Sequence, residues 1–140
     1  MIRFYFSQSI RIILLLMFCY TTYHKLIDLN KFEATLLKST LIEEYQVKYL
    51  LFIVPSLELI AIFYLLRKNY RIGFFISFFL MLLFTLYLVA LNNYSFYKGC
   101  SCGGIFNEMS YSQHIIINIS FILLSVVGIF IYSVARNKST

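Results

Sequence analysis

The chain has 140 residues, of which 61% are hydrophobic, 19% aromatic and 13% charged, with a mean hydropathy of +0.80. Soluble domains average about 45–50% apolar and about 25% charged residues, and a chain this short cannot hide so much apolar surface from water. A soluble enzyme and a disordered tail are excluded, leaving one integral membrane domain over residues 1–140. The net charge is +6, from 12 Lys and Arg against 6 Asp and Glu. The basic residues sit between apolar runs, which points to topology and lipid headgroups and away from nucleic acid.

The first apolar run covers residues 10–27. Arg3 ahead of it and Arg11 at its start give it the look of a signal peptide, but Tyr23, His24 and Lys25 come near its end where small residues would mark cleavage, so it reads as a retained helix. Cys19 in its middle reads as a small buried hydrophobe. Next, Asn30 with Glu33 three residues on resembles a capping box. Phe32, Leu36, Leu37, Leu41 and Tyr45 recur at helical spacing between charges. An amphipathic helix lying on the outer membrane surface is expected there, with a solvated linker helix as the plainer alternative.

The second run covers residues 49–66 and contains Glu58, three residues after Pro55. A carboxyl at mid-membrane costs several kcal/mol unless it is paired or protonated. Glu58 therefore has to face the bundle interior, roughly 13 Å from the outer end of its helix at 1.5 Å per residue. Lys25 is its expected partner, and the pair either relays protons or locks the first two spans together. Pro55 is expected to kink the helix and free a carbonyl near Glu58.

The third and fourth runs, residues 72–91 and 115–135, carry no charge. Each of the four is close to the length a bilayer requires of a helix. The fold class expected is all-α: a bundle of four transmembrane helices, with the amphipathic helix between the first and second. Arg3, Arg11, Arg67, Lys68, Arg71, Arg136 and Lys138 fall on one side of this topology, against Lys25, Lys31, Lys38, Lys48 and Lys98 on the other. That bias of seven to five puts both termini in the cytoplasm of a bacterial inner membrane. The loop 93–113 then faces the periplasm, where disulfides can form. Asn-x-Ser matches at Asn93, Asn118 and Asn137 are chance occurrences, Asn118 lying inside the membrane.

That loop carries Lys98-Gly99-Cys100-Ser101-Cys102-Gly103-Gly104. Cysteines at i and i+2 can close a small, constrained and easily reduced ring. The glycines leave the sulfurs open to a partner, and Lys98 favours thiolate. Redox exchange is the leading reading. An inert structural disulfide and a soft-metal site for copper, completed by His114 or Met109, stand beside it. His114, at the head of the fourth span, can give or take a proton during exchange, and Asn118 lies one turn further on the same face. Their plainer roles are interfacial anchor and interhelical hydrogen bond. Lys25, His24, Glu58, Asn92, Asn93, His114 and Asn118 share the outer depth of the bundle, which predicts a polar pocket beneath the cysteine loop.

Three stretches carry a family resemblance: HKLIDLNKF after the first span, PSLEL around Pro55 and Glu58, and CSCGGIFNEMSYSQHIIIN leading into the fourth span. Together they resemble the MauE branch of the DoxX-like membrane proteins, in its Bacteroidota-type form. Gly103-Gly104 stands where that family typically carries an aromatic-Gly pair. The resemblance implies a four-helix bundle with Cys100 and Cys102 as a redox pair; the residues themselves suggest His114 as a proton handler and Lys25, Glu58 and Asn118 as buried polar support. It implies a role in maturing a disulfide-bearing client such as methylamine dehydrogenase, beside a thioredoxin-fold partner. A broader likeness to four-helix thiol oxidoreductases implies a quinone as electron acceptor. The function expected is thus a thiol–disulfide oxidoreductase of the membrane. The alternatives are a scaffold or accessory subunit with a structural cysteine pair, and a copper-handling protein.

Overall fold

The computed structural model describes residues 2–39, 41–94 and 109–137. These form five helices and, among the described residues, no strand: α1 (Ile2–Ile27), α2 (Leu29–Leu37), α3 (Glu44–Leu66), α4 (Arg71–Tyr94) and α5 (Tyr111–Asn137). Four are long and apolar enough to cross a bilayer, over Phe4–Ile27, Glu44–Leu66, Arg71–Tyr94 and Tyr111–Val134. The chain is a multi-pass membrane protein whose outer surface meets lipid. Phe52 (72% exposed), Phe130 (68%) and Leu16 (66%) project outward as the side chains of a lipid-facing surface do.

The long helices pack in a ring. α1 lies against α3 and α5, and α4 lies against α3 and α5, so α1 and α4 face each other diagonally, as do α3 and α5. Ile10, Leu14, Phe18, Leu65 and Phe74 fill the centre. Ser77, Ser125 and Ser133 donate to the carbonyls four residues earlier, which satisfies a hydroxyl within its own helix where no water is present. Two glycines set close approaches. A Cβ built on Gly73 lies 2.7 Å from the Leu65 backbone nitrogen, and one on Gly128 lies 2.9 Å from the Phe74 ring.

Every span exceeds its hydropathy limits, because polar and aromatic residues at the interfaces continue the helices. α1 begins eight residues earlier than the apolar run at Ile10, and α3 begins at Glu44 rather than Tyr49. At the head of α3 the Glu43 N–H donates to Gln46 Oε1 at 3.2 Å. At the head of α5 Ser110 and Gln113 exchange backbone-to-side-chain bonds at 3.0 and 3.5 Å, a capping box. Glu58 consequently stands about 21 Å from the start of its helix, deeper along it than the hydropathy suggests.

The helix between the first two spans is shorter than the apolar spacing predicts, and differently capped. Asp28, not Asn30, starts it, its side chain accepting from the Lys31 N–H at 3.1 Å. Asn30 lies inside the first turn. The helix stops at Leu37, so Leu41 falls outside it and Tyr45 belongs to α3. Phe32 and Leu36 bury against Val47, whereas Leu37 is exposed. Two further expectations are corrected. Cys19 is exposed on the outer face of α1 rather than buried, since in lipid an apolar side chain gains little by turning inward. The carbonyl that Pro55 leaves without an N–H partner inside α3 is that of Leu51, about 10 Å along the axis from Glu58 and so not beside it.

Arg11 has a structural duty beyond topology. Its Nε donates to the Leu65 carbonyl and its Nη2 to the Leu66 carbonyl at 2.8 Å, the last two of α3, while Nη1 reaches Gln8 Oε1 at 3.0 Å. The guanidinium sits 4.9 Å from the Tyr70 ring centroid. A cation closing helix carbonyls complements both their lone pairs and the helix dipole. Replacing Arg11 by Ala should cost about 1.5–3 kcal/mol, the worth of hydrogen bonds to a charged group. Denaturant unfolding in detergent measures it. A change under a few tenths of a kcal/mol shows the clamp to be idle.

Candidate functional site

The third-last residue of α1 carries the site's cation. Lys25 Nζ forms a hydrogen-bonded ion pair with Glu58 Oε1 of α3, with both side chains at 3% exposure or less. One turn earlier on α1, Thr22 Oγ1 donates to Glu58 Oε2 at 2.9 Å, and Thr21 Oγ1 approaches Oε1 at 3.4 Å. Thr21, Thr22 and Lys25 share a face because residues three and four apart on a helix are stacked. The carboxyl group is thus held by the Thr22 hydroxyl and an ammonium, with the Thr21 hydroxyl shared between it and the Phe18 carbonyl at 3.2 Å. The ammonium also lies over the rings of Phe84 (5.2 Å to the centroid) and Phe32 (5.8 Å). Removing two charges from water is costly, and added hydrogen bonds of this kind offset that cost.

α5 closes the site from the diagonal position. His114 and Asn118, four residues apart, are 2% and 4% exposed. They line a cavity of about 20 Å³ with Lys25, Glu58, Thr21 and Phe84. A void must reach about 10–15 Å³ to hold one water molecule, so this one is large enough. Asn118 Nδ2 is buried without a hydrogen-bond partner among the described residues. The arrangement can hold a polar molecule of water size between an amide donor and a charged pair, and it brings protonatable groups from three helices together.

The structure therefore gathers Lys25, Glu58, His114 and Asn118 around one small cavity. His24, Asn92 and Asn93 are not in its lining. His24 turns to Tyr20 and Tyr23, at 4.5 and 5.7 Å between ring centroids, and Asn93 is exposed. Lys98, Cys100, Cys102 and the rest of 95–108 lie outside the described residues. Sequence reasoning misses Thr21 and Thr22. Their signal is faint but real: two small hydroxyls one turn before a membrane lysine.

A multi-pass helical bundle with a buried charged pair and its polar satellites is the class of protein that these features define. The family described as Methylamine utilisation protein MauE matches residues 3–131, nearly the whole chain, and the protein belongs to that family. No curated protein and no solved structure matches it.

Proposed function

We propose that the protein is a thiol–disulfide redox protein of the bacterial inner membrane, with both termini in the cytoplasm and the 93–113 loop in the periplasm. It passes reducing equivalents between Cys100/Cys102 and a thioredoxin-fold or secreted client. Membership of a family described by methylamine utilisation fits a maturation role of this kind. The observation that supports the reading is positional. His114, in the first turn of α5 and twelve residues after Cys102, lines the same cavity as the Lys25–Glu58 pair. Proton-handling groups thus stand at the end of the bundle from which the cysteine segment leaves, between α4 and α5.

In the direction that oxidises the pair, one thiolate attacks a client disulfide. A mixed disulfide forms, and the client's other sulfur departs as thiolate and takes up a proton. The second cysteine loses its proton and attacks the mixed disulfide. That releases the client dithiol and closes Cys100–Cys102. The reverse direction uses the same bonds. In that reverse direction the client leaves as a disulfide and the pair as a dithiol, and a quinone, if bound, would accept the two electrons and two protons that restore the Cys100–Cys102 disulfide. The role of His114 is to accept or return one proton near the segment, and the Lys25–Glu58 pair holds α1 and α3 in place around it.

Thiol trapping in intact cells tests the reading. A membrane-impermeant maleimide should label Cys100 and Cys102 after reduction but not before. A single replacement, Cys100→Ser or Cys102→Ser, should accumulate a client adduct that dithiothreitol releases. If both thiols stay reduced and out of reach of the reagent, the redox reading fails. If the double Cys100→Ser/Cys102→Ser variant still supports client maturation, the protein is a scaffold.

A further inference from the structure

A second, larger cavity of about 250 Å³ lies between α2, α3 and α4. Phe32 and Leu36 of α2 line it on one side, Val54 and Leu57 of α3 and Leu80 of α4 on others, and Lys25 contributes the charge in its wall. Lys25 and Phe84 also line the small polar cavity, so the Lys25 side chain borders both spaces. Two lining residues mark where the cavity opens. Ile53 is 49% exposed and Leu83 56% exposed, and both belong to the lipid-facing surfaces of membrane-spanning helices. Entry is therefore sideways, from the bilayer.

Three properties of the wall define an occupant. The lining is almost wholly apolar, so the body of the ligand is apolar. The volume exceeds the roughly 150 Å³ that accommodates benzene, leaving room for a substituted six-membered ring or a short acyl segment. The third property is the state of Lys25. An ammonium has three N–H donors, and among the described residues Lys25 Nζ has a single hydrogen-bond acceptor, Glu58 Oε1. Donors remain for a ligand oxygen, yet the charge is already matched. A ligand carboxylate would leave a net negative charge in a low-dielectric site, which is strongly disfavoured. A neutral carbonyl oxygen takes the free donor without that cost.

We infer that this cavity is a binding site for a neutral lipophile, held by its apolar body between α2, α3 and α4 and by a carbonyl oxygen hydrogen-bonded to Lys25. Two membrane components share this chemistry: a quinone, and the acyl ester of a lipid. α2 is then the cover of a ligand site as well as an interfacial helix, with Phe32 and Leu36 as the side chains that meet the ligand. The quinone arm of the inference rests on the reading proposed above, and replacing Cys100 and Cys102 in the test keeps a failure of this site distinct from a failure of the thiol reading.

The test is direct binding to the full chain in detergent, with Cys100 and Cys102 both replaced by Ser so that thiol chemistry cannot enter. Four probes are titrated calorimetrically: a decyl-substituted benzoquinone, methyl decanoate, decanoate and decylbenzene. Saturable binding of either carbonyl probe, at least tenfold tighter than decanoate and decylbenzene, is expected. Binding of the benzoquinone alone assigns a quinone as the natural occupant, and binding of methyl decanoate alone assigns a lipid ester. Leu83→Trp, at the lipid-facing mouth, should weaken binding at least tenfold while leaving the unfolding midpoint nearly unchanged. The double variant Lys25→Met/Glu58→Leu, which removes both charges together, should abolish the preference for a carbonyl over decylbenzene. The inference is overturned if neither carbonyl probe binds, if decanoate or decylbenzene binds as tightly, or if Leu83→Trp has no effect on affinity.

Discussion

Replacing Glu58 by Ala should destabilise the bundle by about 3–5 kcal/mol, the cost of leaving one member of a buried ion pair without the other. The side chain is wholly buried, and Lys25 beside it is 3% exposed. The Thr22 hydroxyl loses its acceptor in the same step, whereas Thr21 keeps the Phe18 carbonyl at 3.2 Å. Removing both charges together is a different experiment. Lys25→Met/Glu58→Leu keeps the volume and leaves no uncompensated charge, and should recover most of the loss. Reversible unfolding in mixed detergent micelles measures Glu58→Ala and the four corners of the cycle, namely the parent chain, Lys25→Met, Glu58→Leu and the double variant. If the double variant is as unstable as Glu58→Ala, the two side chains are not energetically coupled and the pair is not what joins α1 to α3.

The second large effect is expected at Gly73. A methyl group there would lie 2.7 Å from the Leu65 nitrogen and 2.9 Å from its Cα. Those are backbone atoms at the end of α3, held in place by Arg11 on the neighbouring carbonyls, so they cannot swing aside as a side chain would. Gly73→Ala should therefore cost about 1–3 kcal/mol through overpacking, at the upper end of that range, although Ala is the better helix former. Gly128→Ala is the internal comparison. Its nearest neighbour is the Phe74 ring at 2.9 Å, which can tilt, so the loss should be smaller. The unfolding free energies of the two variants decide it. Equal losses would mean that the α3–α4 approach is looser than the contact implies.

The four spans are legible in the sequence because a long apolar run in so short a chain has nowhere to go but lipid. Their ends are not, since Tyr, Gln and Ser near an interface extend a helix without raising hydropathy. Glu58 announces itself, because an acid in the middle of an apolar run must have a reason to be there, and Lys25 is the cation within reach. Thr21 and Thr22 are quiet because a threonine in a span normally satisfies itself on its own backbone, as Thr85 does on the Met81 carbonyl at 2.7 Å. Asp28 and Asn30 are both good caps two positions apart, and only the chain path decides between them. The expectation for Cys19 carries a rule from water into lipid. In water an apolar residue in a helix turns inward, but the bilayer is an equally good solvent for it. Arg11 shows itself in the sequence only as a charge. That it reaches across to the carbonyls of a helix more than fifty residues away is a fact of packing that no local pattern carries.

The ion pair itself is made between the first long helix and the second, in chain order, and the Phe84 ring of α4 and the polar side chains of α5 are added around it afterwards. During synthesis, the lysine and the glutamate can therefore meet as soon as the second hydrophobic stretch has emerged. Neither has to wait, bare, in the oily interior for the rest of the protein. The two stretches pass into the membrane as a self-neutralising hairpin, and the later ones are added to a unit whose most expensive residues are already matched.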